Sequence, residues 1–347
     1  MIMIKAGIIG ASGYAGSEVL RFLLNHPEVE VVGVSAHSDA NKKVSELYPS
    51  FYQIYDLPFL EDEDEVIARA DVIFAGLPAG ISEPFAQKAL DQNKKFIDLG
   101  ADFRLDNPED YAFWYGKKYE NSALHQQQVY GLPETHRNEI KQASLIGNPG
   151  CYPTSVQLGL YPIMLHHLYA NKHIIVNSAS GVTGAGKKLT EDTHFTKTNE
   201  SFHPYKAGNH RHTPEIEQEL TKMSGEAIHI TFVPHLLPVN RGIVSTMYID
   251  LKKDIKLEDI YKLYLETYQD EQFVRVLPLG KQADLKFVTY TNYCDISLHM
   301  DERNHTLIVV STIDNMVKGT AGQAIQNMNL MFGLKENTGL NYVGPSF

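Results

Sequence analysis

Cys151 lies in a segment that begins as a turn and continues into a predicted helix. The segment reads Asn148-Pro149-Gly150-Cys151-Tyr152-Pro153-Thr154. Pro149 and Gly150 favour a turn, and Pro153 is best tolerated at the first position of a helix. The thiol is therefore expected where unpaired backbone N–H groups and the positive end of a helix converge, which favours the nucleophilic thiolate. The alternative is a small apolar packing residue.

A pair of histidines precedes a second predicted helix, in the run His210-Arg211-His212. Thr213 is a plausible N-cap, with Pro214 at the first helical position and Glu215 in the first turn. Positive potential at that helix start should favour neutral imidazole, which can accept a proton and return it in its acid form. Surface histidines are the alternative. A zinc site would need further ligands, and because we find no clear set we expect no metal.

A glycine turn, Gly10-x-x-Gly13-x-x-Gly16, follows the first predicted strand and opens the first predicted helix. Glycine allows the backbone to approach a pyrophosphate, and a helix N-terminus attracts its charge. The spacing departs from Gly-x-Gly-x-x-Gly, so a tight turn without a ligand is the alternative. The turn predicts a dinucleotide site.

The loop after the second predicted strand bears on the choice of dinucleotide. An NAD-type site expects an acidic side chain there for the ribose hydroxyl. This loop offers Ser35 and Ser38, with Lys42 and Lys43 shortly after. Hydroxyls and positive charge suit a 2′-phosphate, so we expect NADP, although Asp39 lies in the same loop. Solvated lysines are the alternative.

A second glycine-rich loop, residues 178–188, also follows a predicted strand. Ser180, Gly181 and Gly184 could wrap phosphate or the nicotinamide region. A mobile surface loop fits the composition almost as well.

The elements that carry these groups divide the chain in two. Residues 5–9, 29–34, 71–76, 96–100 and 145–147 are short strand-like runs with helical patterns between them, which predicts a doubly wound, Rossmann-like parallel sheet. After residue 150 the strands become longer, which predicts an α+β domain with a mixed sheet. We therefore expect a cofactor domain over 1–149, completed by a C-terminal helix within 319–347, and a catalytic and oligomerisation domain over 150–318.

Composition limits the classes of function. The chain has 347 residues, 43% of them hydrophobic, and a formal net charge of −11. The absence of a basic run argues against nucleic acid or an anionic membrane as partner. No stretch has the apolar length of a membrane span or the pattern of a signal peptide. Two cysteines suit a reducing cytosol, so we expect a cytoplasmic protein.

Seven motifs together resemble the N-acetyl-gamma-glutamyl-phosphate reductase family, of type 1, within the semialdehyde dehydrogenase superfamily. The resemblance runs through nearly the whole chain. The motifs are Gly10-Ala11-Ser12-Gly13-Tyr14-Ala15-Gly16, Leu99-Gly100-Ala101-Asp102-Phe103-Arg104-Leu105, Tyr130-Gly131-Leu132-Pro133-Glu134, Pro149-Gly150-Cys151-Tyr152-Pro153-Thr154, Ser180-Gly181-Val182-Thr183-Gly184-Ala185-Gly186, His210-Arg211-His212-Thr213-Pro214-Glu215-Ile216 and Asp314-Asn315-Met316-Val317-Lys318-Gly319-Thr320-Ala321-Gly322-Gln323.

The resemblance implies NADPH-dependent reduction of N-acetyl-L-glutamyl 5-phosphate to the 5-semialdehyde through a cysteine thioester, the third step of arginine biosynthesis. It implies Cys151 as nucleophile, His210 as acid/base residue acting as imidazolium, and a homodimer or homotetramer. The expected cofactor contacts are Gly10, Ser12, Gly13, Tyr14, Ala15, Gly16, Ser35, Ser38, Ser180, Gly181, Gly184 and Asn315. The expected substrate contacts are Arg104, Arg211, His212 and Arg241, since arginine forks suit the carboxylate and phosphate of such a small acyl phosphate.

Three other functions stay open at this point. Aspartate-semialdehyde dehydrogenase and the carrier-bound aminoadipyl phosphate reductase of lysine synthesis use the same chemistry. A regulator that senses NADP without turnover is the non-enzyme alternative, but it would have no need of both Cys151 and the His210 region.

Overall fold

The computed structural model of the chain describes residues 3–252 and 255–346. Two compact units make up the chain. The first consists of Met1–Pro149 with Thr320–Asn341, and the second of Gly150–Gly319 with Tyr342–Phe347.

The first unit is built on a six-stranded parallel sheet with strand order β2-β1-β3-β4-β6-β5. Its strands are β1 (Ile4–Ile9), β2 (Val29–Ser35), β3 (Val72–Ala75), β4 (Lys95–Asp98), β5 (Gln128–Tyr130) and β6 (Leu145–Gly147). Its helices are α1 (Tyr14–Leu23), α2 (Val44–Leu47), α3 (Glu63–Arg69), α4 (Ser82–Asp91), α5 (Pro108–Tyr115), α6 (Ser122–His125) and α7 (Pro133–Gln142), and the later α12 (Gly322–Met331) belongs to the same unit.

The centre of this sheet is apolar on both faces. All four residues of β3 are buried, as expected for a strand of a parallel sheet covered by helices. Val66 and Ile67 of α3 and Ala86 and Ala89 of α4 pack in the same buried cluster. The carboxyl ends of the strands, where ligands of such sheets bind, are thereby held on a rigid core.

The second unit contains a seven-stranded mixed sheet with strand order β11-β12-β13-β10-β7-β9-β8. Its strands are β7 (His173–Gly181), β8 (His203–Pro204), β9 (His229–Leu237), β10 (Ile243–Asp250), β11 (Val274–Val276), β12 (Cys294–Asp301) and β13 (Thr306–Ile313). Its helices are α8 (Cys151–Leu165), α9 (Phe195–Thr198), α10 (Thr213–Ser224) and α11 (Leu257–Tyr268). β7 with β9 and β11 with β12 pair in parallel, and the other pairs are antiparallel.

Small residues let α8 lie close on this sheet. A Cβ at Gly159 would come within 2.5 Å of the Met247 methyl carbon. One turn earlier, the Ser155 hydroxyl donates to Ser245 Oγ at 2.9 Å, and Ser178 Oγ lies 2.7 Å from the same Ser245 oxygen. Because all three serines are buried, these bonds fix α8 on β7 and β10. The first residue of α8 is thereby held in place.

These observations confirm the predicted fold class, a Rossmann-like parallel sheet with a separate mixed sheet. The last predicted helix differs in its bounds. A π-helical turn, Val317–Ala321, stands where the first predicted residues of this helix lie, and α12 begins at Gly322 and ends at Met331. None of the helices in the described part of the chain has the length and apolar character that a membrane span requires.

Candidate active site

Cys151 is the first residue of α8. Gly150 is the N-cap, with an extended φ of −66° and ψ of 155°, and as a glycine it has no side chain with which to cap the helix. Cys151 is half-buried. Its backbone therefore lies at the helix end where N–H groups lack intrahelical partners.

The helix begins two residues earlier than we predicted. Pro153 is its third residue rather than its first, which is still within the turn whose N–H groups have no intrahelical acceptor, so proline costs no hydrogen bond there.

Next to the thiol-bearing residue, a Cβ at Gly319 would lie only 2.8 Å from Cys151 Cβ, so glycine is the residue that fits.

The second cysteine has a different environment. Cys294 is fully buried on β12, and its sulfur lies 3.3 Å from Ser311 Oγ. A buried thiol packed under a sheet is an inert structural residue. Cys151 is therefore the better candidate for a nucleophile.

His210 is buried and has a defined ring orientation. Its Nδ1 accepts a hydrogen bond from the His212 backbone N–H at 3.1 Å. The rings of Tyr152 and Tyr205 each lie 5.6 Å from the His210 ring between centroids. Tyr152 follows Cys151 in α8, so the chain segment that carries the thiol also contacts the histidine.

The electrostatic setting of His210 corrects our expectation of an imidazolium. Burial, and secondarily the cations Arg211 and Lys206, lower the pKa of His210 to about 3. The ring is therefore neutral at pH 7 in this structure. Neutrality was predicted from a helix start, but desolvation is the larger cause. The cap also differs, since His212 rather than Thr213 is the N-cap of α10.

A cavity of about 470 Å³ opens beside His210 within the second unit. Four residues of the second glycine-rich loop and two of the histidine run line it: Ser180, Gly181, Gly184, Ala185, His210 and Arg211. Sequence reasoning missed the remaining lining residues, which are Thr190, Asp192, Thr193, His203, Pro204, Tyr205, Lys206 and Leu236. These missed residues form no motif that could have indicated them.

Tyr205 connects the cavity wall to α8. Its hydroxyl lies 3.1 Å from the Tyr152 hydroxyl. Burial raises the pKa of Tyr205 to about 12. Burial also raises the pKa of Tyr152, so both hydroxyls keep their protons at neutral pH and serve as neutral hydrogen-bonding groups.

The three arginines singled out from the sequence have different surroundings. Arg211 is exposed and lines the cavity. The guanidinium of Arg241 lies 3.7 Å from the Asp314 carboxylate and 4.9 Å from the Tyr290 ring centre. Arg104 belongs to the first unit, where it donates to the carbonyl oxygens of Asn148 at 2.7 Å and Leu99 at 2.9 Å. These bonds give Arg104 a structural role, and a substrate contact for it stays a prediction.

Asn315 joins two loops of the second unit. Its Oδ1 accepts from the Gly242 backbone N–H at 2.8 Å, and its Nδ2 donates to Thr183 Oγ1 at 3.0 Å. The amide thus orders the glycine-rich loop, and direct contact of Asn315 with a nicotinamide stays a prediction.

The glycine turn of the first unit has the shape that a dinucleotide requires. Gly10 has a φ of +77°, and a Cβ there would lie 2.5 Å from the Gly76 carbonyl oxygen. Gly13 is the N-cap of α1, where the described residues provide neither a side-chain cap nor an acidic first-turn residue. The Ser12 carbonyl accepts from the Tyr48 hydroxyl at 2.8 Å, which fixes the turn. The N–H groups of the helix start, which include those of Tyr14 and Ala15, have no acceptor within the helix and suit a pyrophosphate.

The loop after β2 carries the buried hydroxyl of Ser35 and the carboxylate of Asp39, which has hydrogen-bond donors within the loop. Ser35 is fully buried, and its hydroxyl has no hydrogen-bond partner among the described residues. Asp39 accepts from the Ser38 hydroxyl and from Lys42, each at 3.0 Å. The negative charge of Asp39 is therefore partly neutralised inside the loop.

The chain is similar to known proteins both within its two units and over its full length. The model of the semialdehyde dehydrogenase NAD-binding domain matches residues 5–143, and that of the semialdehyde dehydrogenase dimerisation domain matches residues 151–315. The N-acetyl-gamma-glutamyl-phosphate reductase of Brachyspira hyodysenteriae is 54% identical, with 99% of this chain and all of that protein aligned. The Clostridium beijerinckii protein of the same name is 52% identical over the same shares.

Solved structures with the same fold are more distant in sequence. Aspartate semialdehyde dehydrogenase II of Vibrio cholerae is 15% identical, with a TM-score of 0.74 over 96% of this chain and 99% of that one. Aspartate semialdehyde dehydrogenase of Candida albicans is 17% identical, with a TM-score of 0.71 over 97% and 99%. At this identity the likeness supports the fold alone.

Proposed function

The chain belongs to the N-acetyl-gamma-glutamyl-phosphate reductase family, and we propose that it reduces N-acetyl-L-glutamyl 5-phosphate with NADPH to N-acetyl-L-glutamate 5-semialdehyde and phosphate. This is the third step of arginine biosynthesis. The observation that carries the proposal is the pairing of Cys151, half-buried at the start of α8, with His210, whose ring contacts the next residue of that helix. Full-length relatives that share this name at 52–54% identity support the substrate.

The dinucleotide would bind at the glycine turn of the first unit. Gly10, Gly13 and Gly16 would hold the pyrophosphate at the start of α1, and the unpartnered Ser35 hydroxyl supports a ligand near the end of β2. NADP rather than NAD is supported by hydroxyls in this loop and by an Asp39 whose charge Lys42 partly offsets. When bound, NADPH supplies the hydride that reduces the thioester carbon.

Cys151 supplies the covalent step. Its thiolate attacks the acyl carbon, and the bond from that carbon to the phosphate oxygen breaks, so phosphate leaves with the electron pair and takes up a proton. The product is a thioester on Cys151. After reduction, the thiohemiacetal anion re-forms a carbonyl, the carbon–sulfur bond breaks, and the thiolate returns. Overall, one proton is consumed, and it ends on phosphate.

His210 would act as a hydrogen-bond donor to the reacting oxygen. Because Nδ1 accepts from the His212 N–H, the single proton of the neutral ring is on Nε2. An Nε2–H stabilises the oxygen as it gains negative charge, both when the thiolate attacks and when the thioester is reduced. His210 needs no net proton transfer for this role.

The substrate's anionic groups require local positive charge in a chain whose net charge is −11. Lys206 and Arg211 line the cavity next to His210 and supply it. We assign the cavity to the acyl phosphate, with Arg211 as a carboxylate or phosphate ligand. His212 and Arg241 stay predicted substrate contacts.

The chain is proposed to work as a homodimer or homotetramer. The match of residues 151–315 to a dimerisation domain supports self-association through the second unit. Light scattering of the purified protein at micromolar concentration tests this, and a monomer at all concentrations would refute it.

The reverse reaction tests the proposed substrate. N-acetylglutamate 5-semialdehyde, NADP and phosphate should produce NADPH absorbance with kcat/KM at least tenfold above that for aspartate semialdehyde or carrier-bound aminoadipate semialdehyde. A preference for either competitor would replace the substrate assignment. Cofactor binding without turnover on any of the three would instead favour the NADP-sensing regulator.

A further inference from the structure

Glu215 connects the starts of two helices. It lies in the first turn of α10, is fully buried, and its Oε1 accepts a hydrogen bond from the Gly150 backbone N–H at 2.7 Å. Gly150 is the N-cap of α8 and immediately precedes Cys151. The carboxylate therefore contacts the residue that immediately precedes the thiol-bearing residue.

The same side chain is tied to the histidine segment by its own backbone. The Thr213 N–H donates to the His210 carbonyl at 2.9 Å, and the Ile216 N–H donates to the His212 carbonyl at 3.0 Å. The segment from His210 to the first turn of α10 is therefore a continuous hydrogen-bonded unit. Glu215 links this unit to the start of α8.

The charge of Glu215 matters as well as its geometry. α8 has no acidic residue of its own in its first turn within the described residues. A carboxylate bonded to its N-cap N–H lies at the positive end of α8 and also at the positive end of α10. It therefore offsets part of the helix potential that stabilises a thiolate on Cys151.

We propose that Glu215 is a positioning residue for the reaction, which fixes the Cys151 end of α8 against the His210 segment and moderates ionisation of the thiol. The proposal rests on the proposed role of Cys151 as nucleophile. Loss of the negative charge should make the thiol easier to ionise, whereas loss of the acceptor should let the two helix starts separate.

Tyr152 and Tyr205 interact electrostatically with Cys151, and other ionisable groups occur on the neighbouring segments, so all of them must stay constant in the test. They lie on α8 itself, on the segment that leads into α10 and on the segment after β13: Tyr152, Tyr205, Lys206, His210, Arg211, His212, Asp314 and Lys318. A Glu215 substitution leaves all of them in place, so a change in thiol ionisation reports on this carboxylate.

Alkylation of the full-length protein with iodoacetamide across pH tests the proposal without any substrate. Glu215→Gln retains an acceptor and loses the charge, so the pH midpoint of Cys151 alkylation should fall by about one unit, since one unit corresponds to a modest electrostatic change of about 1.4 kcal/mol. In Glu215→Ala the pH midpoint of Cys151 alkylation should fall by a similar amount, and kcat should be at least tenfold below that of the wild type. In Glu215→Gln, kcat should stay close to the wild-type value, because the acceptor is retained.

Glu217→Gln is the matched control. Glu217 lies two residues further along α10, and its Oε1 accepts from the Ile230 N–H at 2.8 Å instead of from α8. Its midpoint should equal that of the wild type. An unchanged midpoint in both Glu215 variants, or an equal shift in Glu217→Gln, would overturn the proposal. Because alkylation needs no acyl phosphate, failure of the substrate assignment would appear separately, in the reverse assay.

Discussion

Nδ1 of His210 accepts the backbone N–H of His212 at 3.1 Å. An amide N–H can only donate, so this nitrogen carries no proton, and the neutral ring holds its proton on Nε2. With the pKa lowered to about 3 by burial and by the cations Arg211 and Lys206, protonation of Nδ1 would cost both this bond and the desolvation of a charge. The relationship explains how a buried histidine can serve as a donor that stays neutral.

His210→Asn should lower kcat by about 10²-fold, the usual cost of losing one donor to a developing oxyanion. The dissociation constant of NADPH should change little. Stopped-flow measurement of kcat alongside fluorescence titration of NADPH checks both values. A large drop that occurs only in His212→Asn would transfer the role to the second histidine.

The same histidine should make folding stability depend on pH. Between its ordinary pKa of 6.5 and its folded value of about 3, the unfolded chain binds a proton that the folded chain does not. Stability contributed by this site therefore falls as pH drops below 6.5, by about 1.4 kcal/mol per pH unit. When urea unfolding is measured at pH 7 and at pH 5, the free energy of unfolding should drop by about 2 kcal/mol more in the wild type than in His210→Asn. Equal losses would contradict a depressed pKa.

NADPH should be preferred over NADH by about tenfold or more in kcat/KM, since a hydrogen bond to a charged phosphate contributes about 1.5–3 kcal/mol. Asp39→Asn should widen this preference, because the remaining charge of Asp39 opposes a 2′-phosphate while Lys42 would be released from its 3.0 Å contact. Steady-state kinetics with both cofactors measures the ratio. Equal kcat/KM values would defeat the interpretation of the loop after β2.

Gly16→Ala should weaken NADPH binding by at least about tenfold, because a tight backbone approach at this turn leaves no room for a methyl group. A Cβ there would lie 2.7 Å from both the Ala11 Cα and the Gly10 carbonyl oxygen, neither of which can move aside. Gly13→Ala is the folding control, since its Cβ meets nothing closer than 3.4 Å. The melting temperature of Gly13→Ala should match that of the wild type. An unchanged NADPH dissociation constant in Gly16→Ala would contradict the assignment of the glycine turn as the dinucleotide site.

Local signals allowed much of this site to be predicted from sequence. The turn residues before Cys151 indicated a helix start, and α8 begins there, although at Cys151 rather than at Pro153. Thr213 and Pro214 likewise indicated the start of α10 to within one residue. Caps and prolines act over one turn, so their effect is visible in a short stretch of sequence.

Long-range contacts could not be predicted in the same way. Glu215 was interpreted only as a first-turn acid of α10, but its hydrogen-bond partner, Gly150, lies 65 positions away. Arg104 was singled out because its type suits anions, and the hydrogen bonds of its guanidinium to two backbone carbonyls could not be predicted from that. The imidazolium form expected for His210 depends on burial, which no local pattern records. Such features follow from packing and not from residue type.

The thioester on Cys151 is the central claim, and phosphate-free oxidation tests it most directly. Wild-type protein given N-acetylglutamate 5-semialdehyde and NADP without phosphate should release a burst of NADPH equal to the enzyme concentration and then stop. Mass spectrometry should find one N-acetylglutamyl group on the peptide that contains Cys151. Cys294→Ser should behave like the wild type, and Cys151→Ser should show neither burst nor adduct while still binding NADPH. Near-normal turnover of Cys151→Ser, or an acyl group on any other residue, would contradict the account.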